Sequence, residues 1–140
     1  MSWQDDVEQL RTLRPRHILF LCVQNSARSQ LAEGIARSLE PAGVKISSAG
    51  SQPATVRPQV IETLQEVGID ASAQTSKSIA DIDASSVDAV ITLCAEEVCP
   101  VFPHQVAKFH WPLPDPAGKG IEAFRKTRNE LQTRLRELFR

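Results

Sequence analysis

His17-Ile18-Leu19-Phe20-Leu21-Cys22-Val23-Gln24-Asn25-Ser26-Ala27-Arg28-Ser29-Gln30 decides how this 140-residue chain folds. It opens on an apolar run, passes through a short polar turn carrying a thiol, and enters an amphipathic stretch from Gln30 to Leu39. Leu31, Ile35 and Leu39 recur at spacings of four, the mark of one buried helix face. The run His17 to Cys22 reads as a buried strand, so the segment is strand, tight turn, helix. Backbone N–H groups at a helix start lack partners, and the helix dipole favours negative charge there. Arg28 adds a planar fork suited to two oxygens of a tetrahedral anion. The same positive field favours the thiolate of Cys22 near neutral pH. Val23, Gln24, Asn25, Ser26, Ala27, Arg28 and Ser29 then form an oxyanion cradle with Cys22 as its nucleophile. A plainer reading makes Cys22 a buried strand-end thiol and Arg28 a surface residue. The strand before and the helix after are the setting that the chemistry needs, and they favour the cradle.

Outward from this segment, strands and helices alternate. Asp5 to Leu13 is an amphipathic helix with Val7, Leu10 and Leu13 on one side, ended by Pro15. Pro41-Ala42-Gly43 stops the helix after the cradle, and Val44 to Ser48 is a second strand closed by Ala49-Gly50. A helix follows from Pro58 to Val67, with proline in its first turn and Gly68 at its end. Asp81 to Ser86 is expected as a short helix, Val87 to Leu93 and Val106 to Trp111 as strands three and four, and Ile121 to Phe139 as the last helix. Such alternation predicts an α/β single domain: a four-stranded parallel sheet with helices on both faces, plus an extra N-terminal helix. Residues 1–16 are that helical extension and residues 17–140 the body. In such folds ligands bind at the carboxyl ends of the strands. Cys22 ends the first strand, Cys94 the third, and Asp115 follows the fourth, so all three are expected at one rim.

Composition limits the function classes. Apolar residues make up 41%, charged residues 24%, and the formal net charge is −1, which gives no footprint for nucleic acid or an anionic membrane surface. Arg125, Arg128, Arg134, Arg136 and Arg140 alternate with Glu122, Glu130 and Glu137, which reads as a solvated helix face. No apolar stretch approaches the ~18 residues of a membrane span. Met1 to Arg16 is charged and lacks the apolar centre of an export signal. With three cysteines, an odd number, the expected compartment is the reducing cytoplasm.

Cys94-Ala95-Glu96-Glu97-Val98-Cys99-Pro100 carries the other thiols, and three readings stay open. They can be packing residues. They can ligate zinc with His104 or His110, although Cys22 would then serve two roles. They can form a redox pair. Five steps of regular helix would set the two Cα atoms about 7.5 Å apart along the axis, beyond the ~7 Å that a disulfide tolerates. Bridging therefore requires a looped segment, and Pro100 disfavours helix at Cys99. Asp115 reads either as a turn residue before Pro116 or as an acid at the rim.

These residues carry a resemblance. The chain resembles arsenate reductases of the low-molecular-weight tyrosine phosphatase fold, the type with three cysteines coupled to thioredoxin. The matching segments are Cys22 to Glu33, Ser48 to Gly50, Thr92 to Cys94, Cys99-Pro100, and His110-Trp111 through Asp115-Pro-Ala-Gly-Lys119. The resemblance implies that Cys22 attacks arsenate held by the cradle and Arg28, with phosphate or sulfate as mimics. It makes Ser29 a support for the thiolate and Asp115 the acid that protonates the leaving oxygen. Cys94 then attacks Cys22 to release arsenite, Cys99 takes over to give Cys94–Cys99, and thioredoxin or glutaredoxin with glutathione reduces that pair. No metal ligand is assigned in this chain, and the resemblance implies no tightly bound cofactor, only an external thiol reductant. This chain departs from the pattern in three places. Ala27 stands where many members carry a second cradle cysteine. The Cys94-to-Cys99 interval is short. Lys77 replaces an acidic residue of a potassium site that otherwise keeps Asn25, Glu33 and Ser48, so its ammonium is expected to stand in for the ion.

Two other functions fit part of the pattern. A low-molecular-weight protein tyrosine phosphatase needs only Cys22, Arg28 and Asp115, but Ala117-Gly118 follows the Asp-Pro pair where such phosphatases place aromatics. A non-catalytic oxyanion or redox sensor would not need a nucleophile, an arginine and an acid together.

Overall fold

A computed structural model describes residues 2–39, 41–95 and 99–140 of the chain. In order they form α1 (Trp3–Leu13), β1 (His17–Cys22), α2 (Arg28–Ser38), β2 (Lys45–Gly50), α3 (Pro58–Gln65), β3 (Ala89–Thr92), β4 (Ala107–His110) and α4 (Ile121–Leu138). Two 3₁₀ turns, Ile79–Asp81 and Ala84–Ser86, replace the single helix expected over 81–86. Ser78 and Asp83 each cap a turn of their own, and two starts five residues apart leave no room for one continuous helix.

The four strands form one parallel sheet in the order β2-β1-β3-β4. β1 is paired on both edges and all six of its residues are buried. That is why its sequence is an apolar run and not an alternation. The register pairs Cys22 with Gly50, Leu21 with Thr92, and Thr92 with His110. The carboxyl ends of the strands are therefore level. The chain leaves β1 toward β2, then crosses back to place β3 on the other side of β1. A sheet whose connections diverge in this way opens a crevice above the divergence, and Cys22 sits there.

Side chains alternate across the sheet. Ile18, Phe20, Ile46, Ala89, Ile91 and Phe109 join the core contributed by α1 through α4. Leu19, Leu21, Ala49 and Val90 face the opposite way, against Val87, Phe102 and the turn residues Ile79, Ile82 and Ala84. The two helical layers are thus unequal: α-helices on one face, 3₁₀ turns on the other. No helix among the described residues is long and apolar enough to cross a membrane.

α1 begins two residues before its apolar periodicity, because Ser2 and Asp5 form a reciprocal capping box. Val7 and Leu10 bury against the body, where α1 meets α4. The Trp111 indole, 1% exposed, donates through Nε1 to Oδ2 of Asp6 at 3.0 Å. The Arg134 guanidinium lies 5.6 Å from the Trp3 ring centroid and 5.5 Å from that of Trp111, within range of a cation–π contact. The arginines of α4 are therefore not all solvated, as the charge pattern had suggested. Arg128 is buried and donates to Thr63 O (2.8 Å) and Glu66 Oε1 (2.6 Å), while Arg125 holds the other oxygen of Glu66. These two guanidinium groups pull the Glu66 carboxyl down to about 2, Arg125 contributing most, and they fasten α3 to α4.

Two positions expose the fold to test. His17, 2% exposed, hydrogen-bonds Ser86 Oγ and Ser47 Oγ, each at 2.8 Å. Burial first, and the charge of Lys45 second, lower its pKa from the ordinary 6.5. The folded chain therefore takes up this proton at lower pH than the unfolded chain. The resulting stability is whole above 6.5 and drains away as pH falls below it. Urea midpoints measured at about pH 7.5 and about pH 5.5 should separate for the native chain and converge for His17→Gln; an equal drop in both would remove His17 from the pH dependence. Gly50, at the end of β2, lies so close to the turn after β1 that a Cβ there would meet the carbonyl oxygen of Val23 and approach Asn25 N at 2.9 Å. Both contacts are backbone and cannot swing aside. Gly50→Ala should cost about 1–3 kcal/mol and speed hydrogen exchange of amides 23–27; an unchanged urea midpoint with unchanged exchange would show that the turn tolerates the methyl.

Candidate active site

Cys22 leaves β1 into a turn whose carbonyls all point backwards. Val23 O accepts from Gln52 N–H (2.9 Å), Gln24 O from Ala54 N–H (3.1 Å) and Ser26 O from Arg57 N–H (2.9 Å). Asn25 O accepts from the Gln30 side chain at 3.1 Å. No described peptide bond is cis, and across a planar trans unit the N–H opposes the C=O. The amides of Gln24, Asn25, Ser26 and Ala27 are therefore turned to the other side, into the turn. That side is a pocket of about 240 Å³ lined by Val23, Gln24, Ser26 and Ala27 with Cys22, Arg28, Arg57 and Asp115. It opens at the start of α2, where the helix dipole adds positive potential.

Asn25 is the hub behind the turn. It takes a left-handed backbone conformation (φ 51°) and is fully buried, so its side chain points into the scaffold and not into the pocket. Its Oδ1 accepts from the backbone N–H of Lys77 (2.8 Å) and from Gln30 Nε2 (2.9 Å). Because a backbone amide can only donate, that bond assigns the orientation of the Asn25 amide. Its Nδ2 then donates to Ser29 Oγ (2.7 Å) and Ser48 Oγ (2.9 Å). Ser29 Oγ, already an acceptor, stands 2.8 Å from Cys22 Sγ, and its own proton is free to point at the sulfur. Ser48 Oγ donates to Glu33 Oε1 at 2.7 Å, and the Lys77 ammonium reaches the same oxygen at 3.2 Å. Glu33, 2% exposed, thus receives a positive charge from Lys77, as the departure at this position led us to expect.

Arg28 is 4% exposed and spans the exits of β3 and β4. Its Nη1 donates to Leu113 O (3.0 Å) and, more weakly, to Leu93 O (3.4 Å). Its Nη2 lies 3.9 Å from Asp115 Oδ2. Asp115 itself is half-exposed at the pocket mouth, and its Oδ1 accepts from Ala117 N–H at 3.0 Å. The turn reading of Asp115 and the rim reading therefore hold together. One oxygen closes the Asp-Pro-Ala turn, which leaves the other facing Arg28 and the pocket.

Cys22 is free and buried, while Cys94 and Cys99 are joined as a disulfide with Cα atoms 5.5 Å apart. Residues 93 to 95 and 99 to 102 are not helical, which meets the looping condition derived from the five-residue spacing; Glu96, Glu97 and Val98 lie outside the described residues. Cys94 is 1% exposed, whereas Cys99 is partly open. Leu93 N–H donates to Leu21 O at 2.9 Å and Leu21 pairs with Thr92, so Leu93 is level with Cys22 and Cys94 lies one residue beyond it at the exit of the adjacent strand.

Sequence reading did not single out three contributors. Gln30 looks like an ordinary helix residue and instead holds both Asn25 oxygens. Gly50 matters for what it lacks. Arg57 reaches the pocket from a loop distant in sequence, and its one signal is that it directly precedes Pro58 at the start of α3.

The Low molecular weight phosphotyrosine protein phosphatase family matches residues 17–140. Arsenate reductase 2 of Staphylococcus saprophyticus is 40% identical over 124 residues, covering 87% of this chain and 95% of that protein. The glutaredoxin arsenate reductase of Synechocystis is 37% identical over 125 residues, covering 88% and 95%. Among solved structures, an arsenate reductase in a phosphate-binding state superposes with a TM-score of 0.79 at 37% identity, covering 89% of this chain and 96% of the other. The family match runs from the first strand to the last residue and takes in the whole turn, its thiol and its arginine, and the chain belongs to the low-molecular-weight phosphotyrosine protein phosphatase family.

Proposed function

We propose that this protein is an arsenate reductase that reduces arsenate to arsenite through a three-cysteine relay. The single observation that carries the reading is the Cys94–Cys99 disulfide at the same rim as the free, buried Cys22. A phosphatase needs one thiol. Reduction of arsenic(V) needs two electrons, and a disulfide is what two thiols become when they supply them.

The steps balance as follows. Arsenate enters the turn, where the amides of residues 24–27 and Arg28 hold its oxygens. Cys22 thiolate, oriented by Ser29, forms a sulfur–arsenic bond, and Asp115 in its acid form protonates the departing oxygen, which leaves as water. Cys94 thiolate then attacks Cys22 Sγ. The sulfur–arsenic bond breaks, its electron pair stays with arsenic, and arsenite departs. Cys99 thiolate attacks Cys94 Sγ, freeing Cys22 as thiolate and leaving the Cys94–Cys99 pair. An external dithiol restores both thiols. No bound cofactor is required, because every electron passes through sulfur.

A thioredoxin-type dithiol suits an internal disulfide of this kind. The glutaredoxin name of the Synechocystis relative supports a second reductant, glutaredoxin with glutathione. Either reductant works in a reducing compartment, which supports a cytoplasmic location. The tyrosine phosphatase reading has less support. Among the described residues the pocket mouth presents Gln24, Arg57 and Asp115 and no aromatic ring. A redox sensor could use the same thiol pair, but a nucleophile, an arginine and an acid gathered in one pocket support turnover instead.

Arsenate turnover with thioredoxin, compared against glutathione plus glutaredoxin, tests the proposal; no arsenite with either reductant would sink it. Cys99→Ser should complete one reduction and stall with Cys22 bonded to Cys94, visible as a single intramolecular disulfide by mass spectrometry; sustained turnover with thioredoxin would remove Cys99 from the relay. Asp115→Asn should fold normally and lower kcat by roughly 10²–10⁴. Near-native turnover would return Asp115 to its turn role alone.

A further inference from the structure

Arg57 stands apart from the other charged residues of the pocket. Its backbone N–H is the donor to Ser26 O, at 2.9 Å, so its Cα is pinned against the cradle. Pro58 follows as the first residue of α3, and the Arg57 side chain makes no capping bond to that helix. Arg57 is exposed, it lines the same pocket as Cys22, Arg28 and Asp115, and its guanidinium has no ion pair or hydrogen bond among the described residues. Other cations near this rim are engaged: Arg28 on Leu113 O and near Asp115, Lys77 on Glu33. A long cationic side chain is thus rooted at the mouth of a small anion pocket with nothing of the protein's own to bind.

We infer that Arg57 is a specificity-determining residue for the substrate: a second, outer guanidinium that captures the free doubly charged inorganic oxyanion and contacts the oxygen left exposed when the turn has closed around the others. The inference rests on the arsenate reductase reading for the identity of that anion. The amides and Arg28 surround the anion from below. The oxygen facing the mouth is the one that would carry an ester group in a phosphomonoester. A guanidinium over that oxygen rewards a bare, charged oxygen and offers nothing to a neutral ester oxygen bearing a ring. Asp115, the acid of the reaction, shares the mouth. Arg57 therefore also offsets the repulsion between that carboxylate and an incoming anion, while it remains too exposed to act as strongly as Arg28.

The consequences differ from those of a structural arginine. Substitution leaves the backbone donor to Ser26 in place and removes no cap, no burial and no ion pair, so the fold should be untouched. Loss of one charge at the mouth should weaken capture of a dianion by about 3–10-fold and flatten the dependence of capture on salt, because the lost term is the screened one.

Two measurements separate this inference from the reading beneath it. In the first, inorganic phosphate protects Cys22 from alkylation in native chain, Arg57→Ala and Arg57→Lys, each with Cys94 and Cys99 reduced, at low and high salt. Arg57→Ala should need about 3–10-fold more phosphate at low salt, the difference should shrink at high salt, and Arg57→Lys should recover most of the loss. In the second, arsenate reduction is followed for the same proteins. KM should rise by the same factor in Arg57→Ala, with kcat within about twofold. If phosphate protection is equal in all three proteins at both salts, the inference is overturned, whatever the turnover assay gives. Should the native chain reduce no arsenate while Arg57→Ala still loses phosphate, the arsenate reading falls and the role of Arg57 in anion capture stands.

Discussion

Four carbonyls turned away from the active site make the rest of it possible. A peptide unit cannot show its oxygen to one side without showing its N–H to the other, so the partners behind the turn matter as much as the atoms in front. Gln52, Ala54 and Arg57 offer backbone N–H groups to Val23, Gln24 and Ser26, and Gln30 offers its amide to Asn25. Take these donors away and the turn has no reason to keep its amides converged. The strand after which they sit, β2, can approach closely enough only because it ends in glycine. The anion site is in this sense built from outside, by backbone donors that stand behind the turn and not in it.

The same logic extends to the thiol. Ser29 can aim its proton at Cys22 because Asn25 already occupies its acceptor, and Asn25 is fixed because Lys77 N–H and Gln30 hold its oxygen. Each link is a buried polar group whose partner is another buried polar group, down to Glu33 and the Lys77 ammonium. Such networks are stable only when complete. A full chain of donors and acceptors also leaves each hydroxyl one direction to point, which is how a rigid nucleophile is prepared.

Much of this was legible in the sequence, and the reasons are physical. The apolar run of β1, the stop at Pro41-Ala42-Gly43 and the stripe of α4 follow from periodicity, which local burial imposes. The alternation of strands and helices gathers Cys22, Cys94 and Asp115 at one rim, because parallel strands all present their carboxyl ends on the same side. What stayed hidden depends on three-dimensional neighbours. Arg128 looks like one arginine in a charged row, and only the packing of α3 on α4 shows that Thr63 and Glu66 enclose it. Gln30 and Arg57 carry no pattern of their own; their roles come from which carbonyl stands opposite. The stretch 81–86 misled because two capping residues close together favour two short turns, a contest that helix periodicity does not register.

The link between Asp6 and Trp111 has a consequence for how this chain can change. An indole N–H shut away from water needs an acceptor, and here the acceptor comes from a helix 105 residues earlier. Neither position is free to vary alone. Replace Asp6 with an apolar residue and a buried donor is stranded; replace Trp111 with phenylalanine first and the carboxylate becomes dispensable. Within this chain the two sites therefore act as one unit, and removing the opening helix would hand the indole N–H from a carboxylate to water.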